Sequence, residues 1–440
     1  MLIFVFVNGL IMKKRIISLA VAFLAVIPIA FAQTGTWSGK INVQGTQLPL
    51  VFHLDENPTM DSPDQGARGI PVQVKRTENG KITIRIPSIS ATYEGQWMLK
   101  QITGTFKQMG VSFPMTLTPG EEKLNRPQTP QAPFPYVQEE VSFTNGDAVL
   151  KGTLVLPEGC TRKTPVLIMV TGSGFQNRDE EIFEHKPFAV IADAFAKAGI
   201  ATLRYDDRGF GESTGDVINC TTEVLKNDAL AGIKLLRERF DKVGVIGHSE
   251  GGTIALMLAA EGQADFIVSL AGVAVSGAET LLWQNRMALS AAGVPAATVD
   301  SYCKLLGEAF DALASGKPLP SADKTDLPAA LKQNYAAAVL QLQTPYMKYF
   351  LAMDARPLLG SIRCPVLALN GTKDTQVSCD LNLEALRKGL TAGAQIVPVE
   401  GVNHLFQHCT TGASTEYRTL EETFAPEVLD QMIQWLSKMK

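Results

Sequence analysis

The stretch VGVIGHSEGGTIALMLAA, residues 243–260, constrains the fold more than any other. It opens on an apolar run of strand length and closes on an apolar run of helix length. Between them, Gly247-His248-Ser249-Glu250-Gly251 has to turn the chain from one element into the other. A Gly-x-Ser-x-Gly pattern recurs by chance, but on a strand-to-helix turn it has a steric logic. So sharp a turn strains the serine backbone and crowds the residues two before and two after it. Glycine at 247 and 251 relieves that crowding. Ser249 is then expected to point out of the sheet as a nucleophile. The following helix would aim its N-terminus at developing negative charge. His248 is adjacent to Ser249, so its side chain is expected to point elsewhere and to pack or support the elbow. The plain alternative is a glycine-rich turn with a capping serine.

The surrounding sequence repeats the strand–helix grammar. TPVLIMVTGSG, ATLRYDDRGFG, DFIVSLAGVA and CPVLALNGTKD read as buried strands. FAVIADAFAKAGI and NDALAGIKLLRERF read as helices between them. The expected fold is therefore α/β, a doubly wound, mostly parallel sheet. Residues 276–360 are helix-like throughout and too long for a plain crossover, so they are expected to form an inserted helical cap. The cap aromatics Trp283, Tyr335, Tyr346 and Phe350 are candidates for a substrate pocket.

A serine nucleophile that transfers acyl groups needs oxyanion donors, an orienting acid and a base. One donor is the N–H of Glu250, the residue after the serine. The other is expected from the glycine-rich loop after the strand TPVLIM, at Ser173 or Gly174, with nothing to choose between them. Asn177, Arg178 and Asp179 either line the site or brace this loop. Asp374 lies just beyond a buried strand and can orient a histidine; Asp380 lies too far into the next segment. GVNHLFQHC, residues 401–409, holds two of the chain's five histidines. His404 directly follows a last strand and can reach over the strand tips to Ser249, whereas a following helix would carry His408 away. Of the rest, His53 sits on an alternating strand and reads as structural, and His185 can face the site rim. Ser249, Asp374 and His404 then form a complete set that needs no metal and no organic cofactor.

Upstream, residues 33–125 consist of short alternating runs punctuated by Asn-Gly, Gly and Pro, which predicts a small antiparallel β domain, a sandwich or partial barrel. Its aromatics (Trp37, Phe52, Tyr93, Trp97, Phe106 and Phe113) read as core. RPQTPQAPFP marks a stiff linker over 126–136, and the α/β domain follows over 137–440. The first 32 residues read as a secretory signal peptide. Lys13, Lys14 and Arg15 precede an apolar run that closes on Ala30-Phe31-Ala32, so cleavage after Ala32 into the periplasm or medium is expected. Met12 is a candidate start. No later apolar run is long enough to span a membrane. The six cysteines show no metal spacing, and a bridge among Cys364, Cys379 and Cys409 is as admissible as free thiols. A formal charge of −4 without a basic stripe argues against a nucleic-acid partner.

With these residues placed, the chain from about 137 onward resembles the α/β-hydrolase superfamily, and within it the EstD-like bacterial carboxylesterases. The motifs that carry the resemblance are VTGSGFQNRDE, HKPF, LRYDDRGFGEST, VIGHSEGG, NGTKDTQV, GVNHLFQ and LEETFAPEVLDQMIQWL. The resemblance implies hydrolysis of short-chain carboxylic esters by Ser249, Asp374 and His404, and the leading reading is a serine esterase for small soluble esters, acyl or feruloyl decorations of glycans being candidates. It also implies that Arg208 of DDRGFG is structural and ion-paired. Two other readings stay open. A peptidase would need an anchor for a charged peptide terminus, for which Glu180, Glu181 and Glu184 are candidates. A glycan-binding protein on an inactive scaffold would use the β domain.

Overall fold

The structure is a computed structural model that describes residues 34–439, apart from 44, 45, 78, 99, 109, 122 and 392. The expected signal peptide lies outside the described residues. The chain divides into two compact units, one ending at Lys123 and the other beginning at Leu124.

The first unit is one antiparallel sheet of nine strands. They are β1 (Thr36–Val43), β2 (Thr46–His53), β3 (Thr59–Ser62), β4 (Ala67–Pro71), β5 (Gln73–Arg76), β6 (Lys81–Ile86), β7 (Ala91–Met98), β8 (Gln101–Gln108) and β9 (Val111–Pro119). The order is β4-β3-β2-β1-β9-β8-β7-β6-β5, so β4 and β5 are its two edges. Only Val72 separates them in the chain. Consecutive Cα atoms are about 3.8 Å apart, so these edge strands must start and end side by side. The sheet can satisfy that only by rolling up, and the alternating residues Phe52, Ile82, Ile84, Tyr93, Ile102 and Leu117 fill its interior.

The second unit carries an eight-stranded sheet. Its strands are β10 (Val137–Asn145), β11 (Ala148–Leu156), β12 (Val166–Val170), β13 (Ala201–Tyr205), β14 (Val243–His248), β15 (Ile267–Leu270), β16 (Val366–Gly371) and β17 (Gln395–Val399). The order is β10-β11-β13-β12-β14-β15-β16-β17, parallel from β13 to β17 and antiparallel at the β10 end. The helices around it are α1 (Pro187–Lys197), α2 (Thr222–Arg237), α3 (Glu250–Ala260), α9 (Cys379–Gly389) and α10 (Pro426–Leu436). Between β15 and β16 come α4 (Gly277–Ala291), α5 (Ala296–Ala314), α6 (Ala329–Leu342), α7 (Pro345–Ala352) and the short α8 (Arg356–Leu359).

The period of two along each strand sorts side chains onto the two faces. Val166, Ile168 and Val170 of β12 join α2, α3 and α9 in one core. Leu167 and Met169 of the same strand join α1 and α10 in the other. Strands covered on both faces read as continuous apolar runs, as these do. Helices α4–α7 form a core of their own around Tyr302, Leu306, Tyr335 and Leu342, to which Met257 of α3 contributes from the sheet side. This is the expected cap. All six cysteines stand as free thiols, so the bridge considered among Cys364, Cys379 and Cys409 is not formed. Among the described residues, no helix is long and apolar enough to cross a membrane.

Candidate active site

Ser249 lies between β14 and α3 with φ 54° and ψ −118°, a backbone that L-residues rarely adopt. Its N–H donates to the Leu270 carbonyl at 2.8 Å, which ties the turn to the end of β15. A Cβ on Gly247 would overlap the Gly251 carbonyl, and one on Gly251 would overlap the Val170 carbonyl. The crowding expected from the sequence is therefore real, and only glycine fits at either position.

Asp374 follows β16 in a tight turn, and its carboxylate is fully engaged. Oδ1 accepts the N–H groups of Gln376 (2.7 Å) and Val377 (2.8 Å), and Oδ2 meets His404 Nδ1 at 2.7 Å. His404 comes from the loop after β17, and both residues are 5% exposed. A carboxylate at Nδ1 holds the proton on that nitrogen and leaves Nε2 as the basic one. Asp380, in the first turn of α9, takes no part in this pairing. His408 is not carried away by a helix. It stays in the loop, half-exposed, against Glu422 and Glu427.

The loop after β12 is braced from below. The Gly172 N–H donates to Glu180 Oε1 at 2.7 Å, so it is not one of the free N–H groups of this loop. Gly174, at φ 99°, has the conformational freedom that presenting a bare amide requires. Asp207 is buried and accepts from Thr171 Oγ1 and the Gln176 N–H, both at 2.8 Å; burial pushes its carboxyl well above the usual range. Asn177, Arg178 and Asp179 brace rather than line the site. Arg178 pairs with Asp206 at 2.9 Å, Asp179 pairs with Arg204, and Asn177 Oδ1 caps the N–H groups of Asp179 and Glu181. Arg208 forms a buried pair with Asp228 at 2.6 Å.

His248 turns away from Ser249 into the protein. Its Nδ1 lies 2.9 Å from Glu180 Oε1 and its Nε2 2.9 Å from the His404 carbonyl, with the two imidazole rings 4.6 Å apart. One side chain thus links the Ser249 turn, the loop after β12 and the His404 loop. Sequence reasoning gave His248 a supporting role but missed Glu180 as its partner. It also missed the side chain of Glu250, which is 1% exposed and accepts hydrogen bonds from Ser173, Thr222 and Tyr346. The available signal was a lone carboxylate at the head of a helix otherwise built of small and apolar residues. His185 does not face a rim. It is fully buried against Thr423, Tyr417 and Gln407. The segment read as a linker is bonded into this unit at its start. Arg126 donates to the carbonyls of Phe183, Arg418 and Leu420, and Gln128 bonds the backbone of Thr423 and Phe424.

Comparison with known proteins agrees with this architecture. Residues 167–410 match the family model described as the alpha/beta hydrolase family. The chain is 26% identical over 311 residues to Esterase EstD of Thermotoga maritima, covering 69% of each chain. Among solved structures, it resembles the Pyrococcus furiosus esterase Pf2001 (17% identity, 72% of this chain and 98% of that one, TM-score 0.43). It also resembles Est1E from Butyrivibrio proteoclasticus (15% identity, 68% and 98%, TM-score 0.41). With the family model matching more than half of its length, the chain belongs to the alpha/beta hydrolase family.

Proposed function

We propose that this hydrolase is an exported serine carboxylesterase acting on small esters through an acyl-enzyme. The observation that carries the reading is the pairing of His404 with Asp374 at 2.7 Å beside a serine held in a strained elbow. His404 Nε2 takes the proton of Ser249 Oγ as the oxygen bonds to the ester carbonyl carbon. The carbonyl oxygen becomes an oxyanion, held by the Glu250 N–H and an N–H of Ser173 or Gly174. Collapse breaks the bond to the alkoxy oxygen, which leaves as the alcohol with the proton from His404. Water then attacks the Ser249 ester with His404 again as base, and the carboxylic acid departs. Asp374 holds the imidazole in orientation and stabilises its charged form.

The anchors that a peptidase would need support the ester reading, because they are already committed. Glu180 is bonded to Gly172 and His248, Glu181 to Asn177 and Lys186, and Glu184 to the Leu124 N–H. No organic cofactor or metal enters any step.

The test is initial rates on p-nitrophenyl esters from acetate to decanoate, beside aminoacyl-p-nitroanilides, with Ser249→Ala as the blank. Short esters should turn over fast, and the variant should lose about 10⁴-fold or more in kcat. Anilide cleavage with weak ester turnover would move the reading to a peptidase. Export is proposed from the N-terminal motif, and sequencing the mature protein should find Gln33 first.

A further inference from the structure

Glu250 supplies two different groups to the site. Its N–H lies in the first turn of α3 next to Ser249, while its side chain is buried. Each oxygen of that buried carboxylate needs a donor. Three hydroxyls from three separate segments meet it: Ser173 from the loop after β12 at 2.7 Å, Thr222 from the start of α2 at 2.6 Å, and Tyr346 from the cap. Ser173 and Tyr346 share the same oxygen, Oε2. The two segments that offer oxyanion donors, at Glu250 and at Ser173–Gly174, are thus joined through one carboxylate, and the cap closes the junction.

We propose that Tyr346 is a positioning residue, one that sets the spacing of the two oxyanion donors from the cap through Glu250. The proposal rests on the serine-esterase reading above. Without the Tyr346 hydroxyl, a buried carboxylate is one donor short and has to turn or draw in water. Either response moves the residue whose N–H faces the oxyanion, and loosens Ser173 with it. Oxyanion stabilisation acts on the transition state and depends steeply on donor position. The loss should therefore fall on kcat and spare KM. Tyr349, one turn further along α7, serves as the internal control. Its hydroxyl meets Glu223 of α2 at 3.0 Å, so it docks the same helix without touching Glu250.

The experiment compares wild type, Tyr346→Phe, Tyr349→Phe, Ser173→Ala and the Tyr346→Phe/Ser173→Ala double variant. It reads kcat and KM on p-nitrophenyl acetate and the inhibition constant of a boronic acid that mimics the tetrahedral intermediate. Tyr346→Phe should lower kcat about tenfold or more, leave KM within about threefold, and weaken the boronic acid by the same factor as kcat. Tyr349→Phe should stay within about twofold of wild type. Because Tyr346 and Ser173 act through one oxygen, the double variant should lose less than the product of the single losses. An unchanged kcat in Tyr346→Phe would overturn the proposal, as would a loss carried by KM or an equal loss in Tyr349→Phe. A wild type without Ser249-dependent turnover would instead overturn the esterase reading and take this one with it. If Tyr346→Phe fails to fold, the cycle moves to Tyr346→His, which offers a ring N–H in place of the hydroxyl. The shorter ring draws that donor back from Oε2, so kcat should fall at unchanged KM and wild-type thermal stability, and wild-type kcat there would overturn the proposal.

Discussion

Two buried histidines of the hydrolase unit meet different partners, which move them in opposite directions from their ordinary value. His248, next to Ser249 at the end of β14, faces two groups that can only accept, the Glu180 carboxylate and the His404 carbonyl. Both ring nitrogens must therefore carry protons. Burial opposes that charge, but Glu180, the His404 carbonyl and Asp374 together raise the histidine above its ordinary 6.5. His185, in the loop that leads into α1, meets a hydroxyl, a carbonyl and an amide instead. Burial and the nearby Arg126 guanidinium push it down to about 4. Burial alone thus says little about a histidine's charge. The partners decide it, and here one region spends a buried ion pair to hold three loops together while the other uses a neutral ring.

The sharpest way to break this comparison is to remove the charged member. His248→Phe leaves the Glu180 carboxylate buried with the Gly172 N–H as its remaining bond. Orphaning one partner of a buried pair costs about 3–5 kcal/mol, and the unfolding free energy at pH 6 should fall by that amount. The turnover number should drop about 10²-fold, because the His404 loop and the loop after β12 lose their shared tie. A histidine raised in the folded state stabilises fully below its unfolded value, and that stabilisation is lost as pH rises through its folded value. Wild type should accordingly weaken on the alkaline side through this group, and the variant should lack that dependence. An alkaline limb of equal size in both proteins would show that His248 is not the charged group.

His185 should produce the opposite limb. A histidine depressed in the folded state takes up its proton more readily when unfolded. Its contribution is present above pH 6.5 and is lost as pH falls toward about 4. The gap corresponds to about 3 kcal/mol. Urea unfolding between pH 7 and pH 4 measures it, and His185→Gln should flatten most of that slope while leaving the alkaline side intact. A slope that survives the substitution would assign the acid sensitivity to carboxylates instead.

What the sequence made legible was local. The elbow could be read because strand, turn and helix are contiguous in residues 243–260 and the steric demand on Gly247 and Gly251 is set within five residues. Asp374 and His404 meet because each follows a strand of the parallel sheet, and strand ends gather at one edge. The partnerships that span the fold could not be read. Tyr346 was considered as a pocket residue, yet its hydroxyl finds Glu250, 96 residues away. EHKPF suggested an exposed rim for His185, because nothing nearby in the chain announces Thr423 or Tyr417. RPQTPQ reads as a spacer by composition, but Arg126 reaches carbonyls nearly 300 residues further on. Periodicity reports which face a residue lies on. It does not report which hydroxyl a buried carboxylate will meet.

The mildest test separates the two causes of the His185 depression. Arg126 donates to the carbonyls of Phe183 at 2.8 Å, Arg418 at 2.9 Å and Leu420 at 2.6 Å, so its charge is held near the ring by hydrogen bonds to backbone. Arg126→Met keeps the aliphatic stem and removes the charge. The lost hydrogen bonds should cost about 1–2 kcal/mol at pH 7, since part of the freed backbone can turn to water. Ester turnover should stay within about threefold, because Glu180 and His248 keep their own tie. The informative readout is the acid limb. Without the guanidinium the histidine should rise part of the way toward 6.5, so the stability lost between pH 6.5 and pH 4 should shrink. It should not vanish, because burial is the larger cause and the substitution leaves it in place. A limb that disappears would make Arg126, rather than burial, the reason His185 is neutral. The contrast with His248 would then be one between two neighbouring charges of opposite sign.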